Sequence, residues 1–119
     1  MSKILLVEDN KDLLNIYKEE LKFANLDFDI SENGEDAIKK NQETEYDLIM
    51  LDMMLPDISG IDVLKKIREK SNTVKVIIIS NLEVPAIINQ AYLLGITAYL
   101  MKDEMLPSQI IEEVKRALQ

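Results

Sequence analysis

A regular alternation of short apolar runs with helical patterns constrains the fold of this chain more than any other feature. Each run is bounded by polar or turn residues, which is typical of a strand buried on both faces of a parallel sheet. The runs are Ile4–Val7, Leu48–Leu51, Val76–Ile79 and, more weakly, Ala98–Met101. A fifth segment, Leu26–Ile30, alternates apolar and acidic residues. This alternation predicts a half-exposed strand at an edge of the sheet.

A helical pattern follows each of the five strand candidates. Apolar residues recur there at steps of three and four, and capping or turn residues mark several ends. The predicted helices cover Leu13 to Ala24, a short stretch after Asn33-Gly34, about Ser59 to Lys70, Pro85 to Gly95, and about Pro107 to Leu118. Five strand–helix units predict an α/β fold, with one parallel sheet and helices on both faces, in one of a few doubly wound orders.

Composition narrows the possible functions. The 119 residues suit one domain. The net charge of −8 argues against direct binding of nucleic acid, which needs a basic surface. Without Cys or His, chemistry must use carboxylates, hydroxyls, lysines and a hard cation. The sequence shows no signal peptide or membrane span, so we expect a cytoplasmic protein with no membrane partner.

Polar side chains follow four of the five predicted strands. Glu8 and Asp9 follow the first strand, Asp52 the third, Ser80 the fourth and Lys102 the fifth. The carboxyl ends of parallel strands share one edge of the sheet, where ligands bind in folds of this class. We therefore expect these five side chains to form a site.

This set of groups favours phosphoryl-transfer chemistry. Three neighbouring carboxylates repel one another unless a cation compensates. Oxygen ligands alone favour Mg²⁺, and Lys102 adds an ammonium. A carboxylate such as Asp52 can attack phosphorus to form an acyl phosphate. Proteins accelerate this reaction mainly by positioning the reacting groups and neutralising their charge.

Each of these residues also has an ordinary interpretation when it is taken alone. Glu8 and Asp9 suit the positive end of the first helix. Asp52 is a common turn residue, Ser80 a common helix cap, and Lys102 a common surface charge. The ordinary interpretations do not predict that all of them occur at successive strand ends.

The sequence resembles the receiver domain of bacterial two-component response regulators over essentially its whole length, 1–119. The resemblance rests on an acidic pair after the first strand, a central Asp followed by Pro and Gly, a hydroxyl residue and a late Lys. The matching segments are Ile4–Asp9, Asp47–Pro56, Ser59-Gly60, Val76–Ser80 and Gly95–Lys102. It implies a flavodoxin-like strand order, 2-1-3-4-5.

The resemblance implies that Asp52 is the phosphoacceptor. It would take a phosphoryl group from a sensor histidine kinase or phosphotransfer protein, and the domain would catalyse its own phosphorylation and dephosphorylation. Glu8, Asp9 and Asp52, with the backbone carbonyl of Met54, would hold Mg²⁺. The resemblance therefore implies a signalling module rather than an enzyme acting on an outside substrate.

The resemblance also implies a switch. Lys102 would pair with the phosphoryl oxygens, Ser80 would hydrogen-bond to the phosphoryl group, and Tyr99 would turn inward as Ser80 moves. Taken alone, Tyr99 is more simply half-buried packing. The output partner would bind the fourth helix, fifth strand and fifth helix, and a phosphorylation-dependent dimer is an open possibility.

Two positions depart from the common receiver pattern. Asn81 stands where a small residue usually follows the hydroxyl residue, and its bulk would alter access of water or phosphodonor to the site. Asp103 stands where Pro often follows the Lys. Composition alone disfavours a cis peptide bond there, and the resemblance leaves the geometry of that bond open.

Other functions compete with this interpretation. A metal-dependent phosphatase or phosphotransferase would use the same carboxylates on an outside substrate, but the chain has no insertion that would bury one. A pseudo-receiver would have lost Asp52, an acidic residue or Lys102. A nucleotide-binding protein would need a Gly-rich loop after the first strand. The Lys102-Asp103 pair resembles that of some regulators with helix-turn-helix outputs, whereas the segment Ser80-Asn81-Leu82 resembles single-domain receivers. The expectation is a single-domain receiver, with a piece of a longer regulator as the open alternative.

Overall fold

The computed structural model describes residues 2–119 and contains one parallel sheet of five strands. The strands are β1 (Lys3–Val7), β2 (Asp27–Ser31), β3 (Leu48–Leu51), β4 (Lys75–Ser80) and β5 (Ala98–Met101). They lie in the order β2-β1-β3-β4-β5, and all four pairings are parallel. The predicted strand order and fold class are therefore confirmed, and the acidic alternating segment is an edge strand as predicted.

Five helices alternate with the strands. They are α1 (Lys11–Phe23), α2 (Gly34–Glu43), α3 (Gly60–Lys70), α4 (Pro85–Leu94) and α5 (Pro107–Ala117). The Asn10 side chain caps α1 by accepting from the N–H of Leu13. Gly95 ends α4 with a φ of +97°, which a residue with a side chain rarely adopts. No helix within residues 2–119 is long and apolar enough to span a membrane.

The sheet separates two hydrophobic clusters. Alternate residues of β1, β3 and β4 point to opposite faces, so each central strand contributes apolar side chains to both clusters. One cluster lies under α2, α3 and α4, and the other lies under α1 and α5. This two-sided burial explains why the central strands are continuous apolar runs, whereas the edge strand β2 is only partly buried.

The parallel register brings the carboxyl ends of the central strands together. Val7 pairs with Leu51 across β1 and β3, and Ser80 pairs with Met101 across β4 and β5. The residues that follow these positions, including Glu8, Asp52 and Lys102, therefore leave the sheet at the same edge.

Candidate functional site

Three carboxylates form a cluster at this edge. Glu8, Asp9 and Asp52 each offer one oxygen, and these oxygens lie within 4.8 Å of one another. Glu8 and Asp52 are buried, and Asp9 is exposed. The cluster forms because β1 and β3 are neighbours, so residues distant in sequence leave adjacent strands side by side.

Lys102 supplies the positive charge beside the cluster. Its Nζ lies 2.7 Å from Glu8 Oε1 and 2.9 Å from Asp52 Oδ2. The three side chains are only 11%, 3% and 6% exposed, so water screens these ion pairs far less than surface pairs. Lys102 follows β5, and it contacts carboxylates that follow β1 and β3.

Burial and pairing act in opposite directions on the pKa values of these groups. For Glu8, burial raises the pKa, and the interaction with Lys102 offsets only part of that rise. For Lys102, burial alone lowers the pKa, but the bonds to Glu8 and Asp52 outweigh it and the net shift is upward. Lys102 therefore stays charged at neutral pH.

The loop after β3 holds the Asp52 carboxylate in place. Asp52 Oδ1 accepts the backbone N–H of Met54 at 3.1 Å, while Oδ2 accepts from Lys102. The N–H of Gly60 donates to the carbonyl of Met53 at 2.9 Å and draws the start of α3 against this loop. A Cβ on Gly60 would lie 2.5 Å from the Asp52 carbonyl oxygen, so only glycine fits this approach. The Met54 side chain is exposed, and the residue contacts Asp52 through its backbone N–H.

Ser80 and Tyr99 are linked through the backbone of Leu82. Ser80 is fully buried, and its Oγ accepts the N–H of Leu82 at 3.0 Å. The Tyr99 hydroxyl donates to the carbonyl of Leu82 at 2.5 Å, and its ring packs against the cluster under α2, α3 and α4. Burial raises the pKa of Tyr99, so its hydroxyl remains a donor at neutral pH. Tyr99 is thus turned inward in this structure, with both groups attached to the loop after β4.

Asn81 and Asp103, the two departures from the receiver pattern, contact each other. The Asn81 Oδ1 accepts the backbone N–H of Asp103 at 2.9 Å. The N–H of Lys102 donates to the carbonyl of Ser80 at 3.1 Å. No cis peptide bond occurs within residues 2–119, so the bond between Lys102 and Asp103 is trans, as expected from the absence of Pro.

Sequence reasoning missed a contact that fixes the loop after β3. The Asp57 carboxylate accepts the N–H groups of Gly34 and Glu35, both at 2.8 Å. These N–H groups start α2, so Asp57 ties the loop that holds Asp52 to a second helix. The acceptor and its donors lie more than twenty residues apart, and no local spacing signals such a contact.

The fold and site together define an α/β domain with an acidic cluster and a paired lysine at the carboxyl ends of its parallel strands, and comparison with known proteins identifies the family. The chain matches the response regulator receiver domain over residues 4–115 and belongs to that family. It is 41% identical over 78 residues to the response regulator ArlR of Staphylococcus saprophyticus. This match covers 66% of the chain and 36% of that relative, so the matched segment spans about a third of the relative's length.

Solved structures show the same architecture. The response regulator TrrA of Thermotoga maritima, determined in complex with Mg²⁺ and a beryllium fluoride, superposes with a TM-score of 0.87 at 32% identity, covering 99% of this chain and 100% of that one. A CheY-like receiver domain protein of Methanospirillum hungatei superposes with a TM-score of 0.93 at 24% identity, covering 99% and 94% of the two chains. The second likeness concerns the fold alone.

Proposed function

We propose that Asp52 accepts a phosphoryl group from a phosphohistidine of a sensor histidine kinase or phosphotransfer protein. An oxygen of the Asp52 carboxylate attacks phosphorus, a P–O bond forms and the P–N bond breaks. The electron pair of the broken bond returns to the ring nitrogen, and because the other ring nitrogen of the phosphohistidine carries a proton, the imidazole leaves in its neutral form. Family membership and the buried carboxylate at the end of β3 support this assignment.

The observation that carries the proposal is the pairing of Asp52 with Lys102. The ammonium is already 2.9 Å from the carboxylate oxygen, so it can bond to the phosphoryl oxygens without a large movement. Phosphoryl transfer depends chiefly on such positioning and neutralisation of charge. Lys102 would then stabilise both the transferring group and the resulting acyl phosphate.

The acidic cluster fits a magnesium ion. Ligands around Mg²⁺ stand about 2.1 Å from the metal, so a set of ligand oxygens spans about 3–4 Å. The three carboxylate oxygens of the cluster lie within 4.8 Å of one another. Glu8, Asp9, Asp52 and the backbone carbonyl of Met54 would hold the ion. When bound, Mg²⁺ supplies charge neutralisation at the phosphoryl oxygens. Its hard-oxygen chemistry matches a donor set of carboxylates and a carbonyl.

The links of Ser80 and Tyr99 to Leu82 support a conformational switch. A phosphoryl group on Asp52 would take a hydrogen bond from the Ser80 hydroxyl. Because Leu82 donates to Ser80 and accepts from Tyr99, a shift of Ser80 would move the loop after β4 and the packing of Tyr99. This couples a local change of charge to the start of α4.

The surface of α4, β5 and α5 would bind the output partner. The helix α4 carries no charged residue, and Tyr92 and Leu93 are exposed on it. A phosphorylation-dependent dimer would use the same surface. The domain would hydrolyse its own acyl phosphate and would not bind nucleic acid directly. A cytoplasmic location stays a prediction.

Intact-mass spectrometry after incubation with acetyl phosphate and Mg²⁺ tests the acceptor. The wild-type chain is expected to gain one phosphoryl group, and Asp52→Asn is expected to gain none. Asp62→Asn, which removes an exposed carboxylate from the first turn of α3, is the matched control and is expected to retain the adduct. Steady release of phosphate without an adduct would instead indicate a phosphatase that acts on outside substrates.

A further inference from the structure

The side chain of Asn81 extends the contact between β4 and β5 by one hydrogen bond. The regular pairing of these strands ends at Ser80 and Met101. Beyond it, the N–H of Lys102 donates to the Ser80 carbonyl, and the N–H of Asp103 donates to Asn81 Oδ1. A side-chain oxygen therefore continues the ladder into the two loops that border the site.

This contact requires both departures from the common receiver pattern. A glycine or alanine in place of Asn81 would have no side-chain acceptor, and a proline in place of Asp103 would have no N–H to donate. The two departures are therefore complementary, because Asn81 supplies the acceptor and Asp103 supplies the N–H donor. The bond fixes the backbone on both sides of Lys102, because the N–H of Lys102 and the N–H of the next residue are each held.

We infer that Asn81 is a positioning residue for the Lys102 ammonium in phosphoryl transfer. The Lys102 ammonium contacts Asp52 and Glu8 from the loop after β5. It sits on a flexible four-carbon stem, so its position depends on where the backbone is held. A backbone fixed on both sides narrows the range of positions from which the ammonium can reach the phosphoryl oxygens. This inference rests on the proposed function and names one residue that tunes its rate.

The expected effect is a slower gain and a slower loss of the phosphoryl group. A neutral hydrogen bond typically changes a rate by about 2- to 10-fold when it positions a reacting group. Lys102 would stabilise the transition state of both reactions, so both rates fall when it is less well held. If Asn81 instead limited access to the site by its bulk, its removal would make both reactions faster.

The test compares variants of Asn81 in the whole chain by intact mass. Asn81→Leu keeps the size and removes the acceptor, and it is expected to slow phosphorylation by acetyl phosphate and subsequent loss by about 2- to 10-fold. Asn81→Asp keeps the acceptor and is expected to restore most of both rates, at an ionic strength that screens the added charge. Asn72→Leu controls for the substitution itself, because Asn72 is exposed in the loop before β4, at the amino ends of the strands and away from the site.

Repeating the comparison in a Lys102→Ala chain shows whether Asn81 acts through Lys102. We expect Asn81→Leu to have no further effect once the ammonium is absent. Unchanged or faster reactions in Asn81→Leu, or the same slowing without Lys102, would overturn the inference while the adduct on Asp52 still upholds the proposed function. A wild-type chain without an adduct would overturn both.

Discussion

Replacement of Lys102 by methionine gives the sharpest test of the electrostatics of the site. The substitution keeps the aliphatic stem and removes the ammonium that contacts Glu8 and Asp52. Because both carboxylates are buried, neither gains full hydration when its partner is lost. We expect the folded state to be destabilised at neutral pH.

The size of the destabilisation depends on how easily a carboxylate that has lost Lys102 can become neutral. Loss of one partner from a buried ion pair costs about 3–5 kcal/mol. Binding a proton removes the unpaired charge of a buried carboxylate. For an ordinary glutamate, protonation costs about 4 kcal/mol at pH 7 and about 1 kcal/mol at pH 5. The pKa of Glu8 is already raised by burial, so the cost is smaller for this residue. We therefore expect a loss of about 2–4 kcal/mol at pH 7.

Urea unfolding at several pH values measures this loss. For an acid whose pKa is raised in the folded state, the penalty is present at high pH and fades as the pH falls, so the variant should approach the wild type near pH 5. The proposed Mg²⁺ ion should also narrow the gap, because it would neutralise the carboxylates that the variant leaves unpaired. Lys65→Met is the control: Lys65 lies 3.9 Å from Asp62 with both side chains well exposed, and its loss should cost less than about 1 kcal/mol.

A small and pH-independent loss would refute the reasoning. If Lys102→Met costs no more than Lys65→Met at pH 7 without Mg²⁺, then the carboxylates do not depend on the ammonium for their stability. The raised pKa of Glu8 and the close pairing described here would then not govern the energetics of the site.

Two further predictions concern stability. Gly60→Ala should lower the free energy of unfolding by about 2–3 kcal/mol in a urea titration, because its Cβ would press on the backbone of Asp52 and Met53; an unchanged midpoint would contradict this close packing. Burial raises the pKa of Tyr17 from 10.0 to about 12. Unfolded chains then bind fewer protons than folded ones above pH 10, so stability should fall by up to about 3 kcal/mol between pH 10 and 12, and should fall less in Tyr17→Phe.

Much of the fold is predictable from local patterns in the sequence. The three central strands are buried on both faces, so Leu48–Leu51 and its neighbours appear as uninterrupted apolar runs. The boundary differences are small: β2 begins at Asp27 rather than Leu26, and β4 extends to Lys75 and Ser80. Strand ends depend on hydrogen bonds to a neighbour, which apolar patterning does not report.

The candidate site is predictable in its members and less so in its connections. Strand alternation alone places Glu8, Asp52 and Lys102 at one edge of a parallel sheet. The bonds of Asp57 to the start of α2, and of Asn81 to the N–H of Asp103, involve backbone groups brought together only by folding. Those contacts have no counterpart in residue spacing.

The hydrogen bond from Tyr99 to the Leu82 carbonyl likewise joins two groups that only folding brings together. The acceptor is a backbone oxygen, which every residue carries, so the sequence offers no signal for it. The resemblance to receiver domains suggested an inward turn of Tyr99 when Ser80 moves. In the structure the inward position is already occupied, so the test of the switch is whether phosphorylation changes the packing of Tyr99 further.

Mapping the phosphoryl group to a residue tests the central claim most directly. The chain is phosphorylated with acetyl phosphate and Mg²⁺, cleaved into peptides and analysed by mass spectrometry that locates the modification. We predict the phosphoryl group on Asp52 and on no other carboxylate, with the modification dependent on Mg²⁺. A phosphoryl group on Glu8, Asp9 or Asp57, or an unmodified chain that is folded and binds Mg²⁺, would contradict the account.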